Sequence, residues 1–248
     1  MVGGSIEEKR LTRKFGFFKL RFWIESTVID PRNTARALAH HAIAHNRPLD
    51  WFDELYRKAE VQDAVIPWAD LVPNPNVTAL LEKREIQGGN KRALKIGSGL
   101  GNDSEYLVAQ GFKVVAFDIS PTAIQRTRDR FPDSRVKYLV ASLFDLPATW
   151  KGKFDFIWES YTLQVLPPDL RDKAIAIIPG LLSPRGELVV VSRARGGNDP
   201  KGEMPWALTE EELHQFTDHG LACLSFEDYT DCEDPPVRRF RAYYRKER

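Results

Sequence analysis

The sequence has few cysteines, almost no net charge and no long apolar run. Its 248 residues include two cysteines, Cys223 and Cys232, which are too few for a disulfide framework. The net charge of +1 gives no sign of a nucleic-acid-binding surface. No apolar stretch approaches the length of about 20 residues that crosses a bilayer, and the charged start lacks the apolar segment of a secretory signal. We therefore expect a cytoplasmic protein without nucleic-acid or membrane partners, and composition leaves its oligomeric state open.

Two local clusters offer alternatives to this simple description. Residues 15–24 interleave aromatic and basic side chains, as membrane-surface segments do. We favour the reading that these aromatic side chains pack on the main domain. His41 and His45 lie four positions apart on one face of a predicted helix, but the sequence supplies no further ligand at metal-binding spacing. We therefore predict no metal site.

The chain changes character at the turn-rich segment 87–90. Before it, apolar residues recur at helical spacing over residues 33–46, and Asp50 is a candidate N-cap for a helix over residues 51–59. After it, segments rich in Val, Ile and Phe alternate with helical ones, which predicts a parallel sheet covered by helices on both faces. We predict an N-terminal helical extension over residues 1–90 and a doubly wound α/β core over residues 91–248.

The predicted sheet has seven strands, separated mostly by helices. Five strands are expected in the first part of the core, at residues 93–96, 113–118, 136–142, 154–160 and 186–193. The helices between them are expected at residues 102–110, 121–131 and 169–182. Thr209 and Glu212 have the spacing of a capping box at the start of a further helix. Two last strands, 221–229 and 239–245, suit an antiparallel ending of the sheet.

The first predicted strand runs into a glycine-rich loop, Gly97-Ser-Gly-Leu-Gly101. Alternating glycines allow a tight turn and a close approach of backbone to ligand, and the next helix directs free N–H groups into the same crevice. A dinucleotide fingerprint requires glycine where Asn102 stands, and no Gly-Lys-Ser/Thr follows as in a phosphate-binding P-loop. The loop therefore suits a ligand without a pyrophosphate, such as S-adenosyl-L-methionine (SAM).

Asp118 ends the second predicted strand and is the second element of this candidate site. An acidic side chain at that place can accept hydrogen bonds from both hydroxyls of an adenosine ribose. Its alternative role is an N-cap for the helix that begins at Pro121, but Ser120 is better placed for that role. We predict that Asp118 binds a ribose.

These motifs resemble class I SAM-dependent methyltransferases and, more narrowly, the thiopurine, halide and thiol methyltransferase group. The resemblance extends over residues 67–73, 97–103, 115–120, 166–171, 182–188 and 205–213. It implies a Rossmann-like sheet of seven strands whose last strand is antiparallel, with the N-terminal extension capping the active site. It also implies SAM as cofactor, S-adenosyl-L-homocysteine (SAH) as product and a small-molecule methyl acceptor.

The resemblance assigns cofactor contacts residue by residue. The glycine loop would line the methionine end of SAM, Asp118 would hold the ribose, and Trp68 would cap the site. Ser142 stands where the group often has aspartate to accept from the adenine amino group. The implied cofactor-binding set is Trp68, Gly97, Ser98, Gly99, Asp103, Asp118, Ile119, Ser142, Leu143, Phe144 and Trp158.

Candidate catalytic residues follow from the chemistry of methyl transfer. The sulfonium loses its charge during an in-line displacement, so aromatic faces can hold the donor and an enclosed site excludes water. A thiolate or halide acceptor needs no general base, whereas Glu159 or Tyr161 could assist a hydroxyl or amine. Arg193 and Arg195 follow the fifth strand and could engage an acidic acceptor, or lie in a solvated loop.

We expect methyl transfer to a thiol or another soft nucleophile, and two alternatives stay open. One is an O- or N-methyltransferase of a small metabolite. The other is a SAM-binding protein without activity, suggested by Ser142 and by Lys95, a charge inside a predicted buried strand whose stem we expect to reach the sheet edge. A nucleic-acid methyltransferase is disfavoured, because no Asp/Asn-Pro-Pro-aromatic motif follows the fourth strand.

Overall fold

The structure is a computed structural model that describes residues 30, 32–61 and 64–247. The aromatic and basic segment 15–24 lies outside the described residues, as does most of the first third of the predicted extension. Residues 31–248 belong to one compact unit. The division of the chain at residue 90 into extension and core stays a prediction.

The order of helices and strands follows the predicted alternation. The helices are α1 (Asn33–Ala44), α2 (Trp51–Glu60), α3 (Pro75–Lys83), α4 (Asn102–Ala109), α5 (Pro121–Arg130), α6 (Pro168–Leu181) and α7 (Glu210–Asp218). The strands are β1 (Arg92–Ile96), β2 (Lys113–Asp118), β3 (Lys137–Val140), β4 (Phe154–Ser160), β5 (Leu182–Arg193), β6 (Leu221–Thr230) and β7 (Arg238–Lys246). Among the helices of the described residues, none has both the length and the apolarity to cross a bilayer.

One sheet contains the seven strands of the described residues, in the order β3-β2-β1-β4-β5-β7-β6. The five strands from β3 to β5 are parallel, and β7 lies antiparallel between β5 and β6. The predicted fold class is therefore confirmed. The strand order reverses between β1 and β4, and ligands of such sheets bind at the carboxyl ends of the strands beside this reversal.

Two apolar layers form the core, one on each face of the sheet. Successive side chains of a strand point to opposite faces, so Ile157 packs with Leu94 in one layer while Phe156 and Trp158 pack with Val114 in the other. Helices α6 and α7 contribute to the first layer, and α3, α4 and α5 contribute to the second. Because β4 is buried on both faces, ligand-facing side chains are expected mainly where this strand ends.

The helix boundaries confirm two predicted caps and correct a third. Ser120 caps α5, since its Oγ accepts from Ala123 N at 3.0 Å. Thr209 and Glu212 form the capping box of α7. Asp50 was predicted as the N-cap of α2, but it makes no capping hydrogen bond because its own φ and ψ, −69° and −25°, are already helical.

Candidate active site

A cavity of about 410 Å³ lies at the carboxyl edge of the sheet. It is lined by the loop between β1 and α4, by the ends of β2 and β4, by the segment after β3, and by residues of α2 and the segment after it. These are the elements that meet beside the reversal of strand order. The sequence motifs of the glycine loop and of Asp118 are therefore brought to one site.

The glycines of the loop are required by both conformation and space. Gly97, Gly99 and Gly101 have φ values of +60°, +53° and +90°, in the left-handed region that side chains disfavour. A Cβ at Gly97 would lie 2.5 Å from Thr162 Oγ1, which is too close for any side chain. At these three glycines the loop thus presents bare backbone to the cavity.

Ser98 supplies an unsatisfied polar atom within this loop. The residue is buried, and its Oγ has no hydrogen-bond partner within the described part of the chain. Buried hydroxyls normally have a partner. Since Ser98 also lines the cavity, a polar group of a ligand can supply the missing hydrogen bond.

Asp118 faces the same cavity from the end of β2. One carboxylate oxygen accepts from Gly99 N at 2.9 Å, and the other accepts from Ser120 N at 3.0 Å. Burial raises the pKa of Asp118, while these hydrogen bonds and Lys95 act in the opposite direction. Each oxygen retains a further lone pair, so the carboxylate can still accept two ligand hydroxyls.

Lys95 is buried within the sheet, contrary to the prediction that its stem reaches the sheet edge. Only 1% of the residue is exposed, and Nζ donates to Ile96 O at 2.8 Å and to Gly97 O at 3.1 Å. The ammonium also lies 3.5 Å from Asp103 Oδ2, while Asp103 Oδ1 accepts from Asn74 N at 2.8 Å. These two carbonyls and Asp103 compensate the positive charge of the ammonium, so the side chain can stay buried. Both members of this ion pair line the cavity.

An aromatic cluster lines the cavity beside the glycine loop. Trp68 Nε1 donates to the hydroxyl of Tyr56 at 2.9 Å, and that hydroxyl would lie 3.3 Å from a Cβ at Gly99. Helix α2 is fixed to α5 because Asp53 accepts from Ser120 Oγ at 2.7 Å. Tyr56 was not predicted, and no local sequence pattern marks it.

Tyr161 follows β4 in a strained conformation. Its φ is +67°, which is uncommon for a bulky residue and costs about 1–3 kcal/mol. Its ring lies 4.6 Å from the guanidinium carbon of Arg239, and its hydroxyl accepts from Asn76 Nδ2 at 3.0 Å. Burial raises the pKa of Tyr161, so the phenol is neutral near pH 7. Tyr161 lines the cavity.

The side chains of two predicted site residues lie behind the cavity wall. Trp158 is fully buried, and its Nε1 donates to Ser160 Oγ at 3.0 Å. Glu159 is also fully buried, and its Oε1 accepts from Thr162 N at 2.7 Å and from Leu163 N at 3.1 Å. Burial raises the pKa of Glu159 to about 7, against the effect of these hydrogen bonds and of Lys95. Neither residue lines the cavity, and their functional roles stay predictions.

The other predicted contacts gather at the cavity. Ile119, Ser142, Leu143 and Phe144 line it together, as do Trp68, Asp103 and the glycine loop. Ser142 Oγ accepts from Phe144 N at 3.2 Å, so this hydroxyl also orders the turn after β3. In the described part of the chain, no three His, Cys, Asp or Glu side chains are grouped as metal ligands would be.

The two candidate arginines after β5 differ in their surroundings. Arg193 lines the cavity, with Gln164, Glu233 and Arg239 among the other lining residues. Arg195 does not line it, because its Nε donates to Ala207 O at 3.0 Å and its guanidinium lies 3.4 Å from Glu212. Gln164 and Arg239 were not predicted, since only the tertiary fold brings them to β5.

Comparisons with known proteins agree with this architecture. A family profile described as "Methyltransferase domain" matches residues 93–186. The chain is 27% identical over 164 residues to the probable thiol methyltransferase 2 of Arabidopsis thaliana, covering 64% of this chain and 67% of that protein. It is 28% identical over 133 residues to the thiocyanate methyltransferase 1 of Brassica oleracea, covering 52% and 58%. It is 27% identical over 132 residues to the thiopurine S-methyltransferase of Gluconobacter oxydans, covering 47% and 60%. The chain thus matches about three fifths of the length of these curated relatives.

Two solved structures share the fold. One is the 1,6-didemethyltoxoflavin-N1-methyltransferase of Burkholderia thailandensis with bound 1,6-didemethyltoxoflavin and SAH, with 20% identity, a TM-score of 0.64 and coverage of 85% of this chain and 91% of that one. The other is the N-methyltransferase NodS of Bradyrhizobium japonicum WM9 in complex with SAH, with 21% identity, a TM-score of 0.61 and coverage of 79% and 100%.

The fold, the cavity and the methyltransferase-domain match over residues 93–186 agree with the prediction of a SAM-dependent methyltransferase whose cofactor is SAM. Within that class, the chain is similar to the thiol, thiocyanate and thiopurine methyltransferases named above. The predicted enzyme class and cofactor are thereby confirmed.

Proposed function

We propose that this chain transfers the methyl group of SAM to the sulfur of a small-molecule thiol within the cavity. When bound, SAM supplies a methyl group activated by attachment to a sulfonium. The chain binds and orients the two reactants and excludes water from them. Three features of the cavity support this assignment: its fit to SAM, its aromatic wall and the state of its candidate bases.

The cavity residues fit the parts of SAM. The carboxylate of Asp118 would hold the ribose hydroxyls, and Ser98 Oγ would hydrogen-bond to a polar group of the cofactor. The ion pair of Lys95 and Asp103 is complementary in charge to the carboxylate and ammonium of the methionine end. Ile119, Ser142, Leu143 and Phe144 would surround the adenine.

Aromatic side chains would hold the sulfonium and keep the site dry. Trp68 and Tyr161 both line the cavity, and Trp68 is fixed by its hydrogen bond to Tyr56. Aromatic faces attract cations by about 0.5–2 kcal/mol, more strongly where water is excluded. Orientation of the acceptor in such an enclosure supplies much of the rate of a displacement.

The proposal of a thiol acceptor rests on the state of the two candidate bases, Tyr161 and Glu159. Tyr161 is a neutral phenol that already accepts from Asn76, and Glu159 lies behind the cavity wall with one oxygen bound to two backbone N–H groups. An acceptor that is already ionised when it enters the cavity needs neither residue as a general base. A thiol ionises near pH 8.5, whereas a phenol ionises near pH 10. A larger fraction of a thiol is therefore ionised near neutral pH, so a thiol depends less than a phenol on a general base in the cavity.

The test is the rate of methyl transfer to three matched acceptors: thiophenol, phenol and aniline. We expect thiophenol to be methylated at least about 100-fold faster in kcat/KM than the other two, a difference of about 2.7 kcal/mol in barrier. Equal or faster transfer to phenol or aniline would instead support the O- or N-methyltransferase alternative. SAH binding without turnover of any of the three would favour a SAM-binding protein without this activity.

A further inference from the structure

Two arginines face each other across the last strand pair at the cavity. Arg193 of β5 and Arg239 of β7 are direct partners in the antiparallel register, so their side chains lie on the same face of the sheet. Both residues line the cavity. Like charges directly opposite each other destabilise a sheet unless anionic groups neutralise them.

Arg239 is neutralised by the protein. Its Nε donates to Asp231 at 2.7 Å, and its terminal nitrogen is hydrogen-bonded to Glu233. Its guanidinium also stacks on Tyr161, and its side chain is only 2% exposed. This arginine is therefore part of the wall and is not available to a ligand.

Arg193 lacks such partners. Its backbone N donates to Gln164 Oε1 at 2.7 Å, which fixes the end of β5. Its guanidinium makes no hydrogen bond and no ion pair with the residues that the structure describes, although the residue is only partly exposed. Burial, and then the nearby charges of Arg239 and Arg32, lower the pKa of Arg193, while Glu233 and Tyr161 act in the opposite direction.

The surrounding charges limit how much negative charge a ligand group bound by Arg193 can have. Glu233 and Asp234 also line the cavity, so a ligand group with two negative charges is repelled more strongly than a group with one. A guanidinium presents a planar fork of donors that matches the two oxygens of a carboxylate. Arg195 cannot share this role, because Ala207 and Glu212 already hold its guanidinium.

We infer that the acceptor is a thiol that carries a single carboxylate, and that Arg193 binds this carboxylate. The inference rests on the proposed function and adds the chemical class of its substrate. The thiol proton leaves to solvent before the reaction. The thiolate sulfur then forms a bond to the methyl carbon, the bond from that carbon to the sulfonium sulfur breaks, and its electron pair stays on the departing thioether. The carboxylate is unchanged in the product.

The test compares para-mercaptobenzoate with thiophenol, which differ only in the carboxylate. The proteins are wild-type, Arg193→Met, Arg193→Lys and the control Arg238→Met, whose arginine is exposed, pairs with Asp228 and lies outside the cavity lining. We expect wild-type to prefer the carboxylate-bearing thiol by about 10- to 100-fold in kcat/KM. Arg193→Met should abolish this preference, Arg193→Lys should restore part of it, and the control Arg238→Met should keep both the preference and the rate with thiophenol.

A binding measurement separates this inference from the proposed function. Calorimetric titration of SAH-loaded protein with benzoate and with benzyl alcohol reports carboxylate recognition without any turnover. Benzoate binding that is lost in Arg193→Met supports the carboxylate site even if no thiol is methylated. The inference is overturned if wild-type binds benzoate no better than benzyl alcohol, or if Arg193→Met leaves the preference unchanged. Iodide, a halide acceptor without a carboxylate, serves as a further control. The inference is also overturned if Arg193→Met lowers the methylation of iodide and of both thiols equally, because the effect of the arginine would then not depend on a carboxylate.

Discussion

Lys95 Nζ lies 3.5 Å from Asp103 Oδ2, and this ion pair between a buried lysine and a partly buried aspartate joins the end of β1 to the start of α4 across the glycine loop. The ammonium also holds the carbonyl of Gly97, a residue that the loop presents to the cavity. A pair of opposite charges at the cavity wall is complementary to an amino-acid zwitterion. We therefore expect Lys95 to order the loop and to face the carboxylate of the cofactor.

Replacing this ammonium should weaken ligands that carry the methionine end. In Lys95→Met we expect the Kd of SAH to rise about 10- to 100-fold, because a charge-assisted contact is lost. The Kd of methylthioadenosine, which lacks the amino-acid group, should change less than about threefold. Calorimetry with both ligands measures the difference.

Removal of one partner from a buried ion pair also costs stability, by about 3–5 kcal/mol in fully buried cases. Lys95→Gln keeps donors for the two backbone carbonyls and serves as the second variant if Lys95→Met unfolds. An equal loss of affinity for SAH and methylthioadenosine in the folded variant would contradict a role toward the zwitterion.

Gly97 of the glycine loop and Gly152, in the turn before β4, allow a matched comparison of alanine substitutions. Gly97 and Gly152 both have left-handed φ values, +60° and +66°, so alanine at either position adds backbone strain of about 1 kcal/mol. Only at Gly97 would the new Cβ meet another atom, Thr162 Oγ1 at 2.5 Å. We expect Gly97→Ala to lose SAH binding, measured by calorimetry, while Gly152→Ala binds as wild-type does. Wild-type affinity in Gly97→Ala would contradict the loop's role.

Asp118 should contribute affinity through its charge. In Asp118→Asn one carboxylate oxygen becomes a donor that faces either Gly99 N or Ser120 N, and the acceptors for ribose hydroxyls are reduced. We expect the Kd of SAH to rise about 10- to 100-fold. The exposed Asp129 of α5 provides the control Asp129→Asn, which should leave the Kd unchanged. Similar affinities of the two variants would remove Asp118 from the site.

Glu159 should make the stability of the fold depend on pH. Burial raises its pKa to about 7, above the value of 4.5 expected for an exposed glutamate. The folded state therefore binds the proton more tightly, and its contribution to stability is present below pH 4.5 and lost as the pH rises to about 7. The loss should reach about 3 kcal/mol, because each pKa unit corresponds to about 1.4 kcal/mol.

Glu159→Gln removes this titration and preserves an oxygen for Thr162 N and Leu163 N. Denaturant unfolding of both proteins at several pH values should show the wild-type free energy of unfolding falling relative to the variant between pH 4.5 and 7. Parallel pH profiles would show that Glu159 is not protonated in the folded protein over this range.

Local sequence patterns were sufficient to predict the sheet and the glycine loop. The runs rich in Val, Ile and Phe mark strands that are buried on both faces, and β2 and β4 have the predicted bounds. The glycine spacing and Asp118 lead to the cavity because carboxyl ends of parallel strands share one edge of the sheet. The start of β5 was missed: the strand begins at Leu182 and continues through Pro184 and Gly186, residues that are unfavourable in strands.

The part of the cavity around Tyr161, Arg193 and Arg239 depends on which strands pair in the sheet. Trp158 and Glu159 were predicted to face it, but side-chain alternation directs them into opposite faces of β4, and the residues after the strand line the cavity instead. Arg239 reaches the site only because it pairs with Arg193 across β5 and β7, strands that are distant in sequence. No local pattern encodes such a pairing.

The most direct test of the central claim is calorimetric titration of the wild-type protein with SAH, with NAD as the control ligand. We expect one SAH to bind per chain and NAD to give no heat. SAH at a hundredfold its Kd should add about 2.7 kcal/mol of stability and raise the Tm by about 5–10 °C. Folded protein that gives neither heat nor a Tm shift with SAH would contradict the claim that this cavity is the site of SAM-dependent methyl transfer.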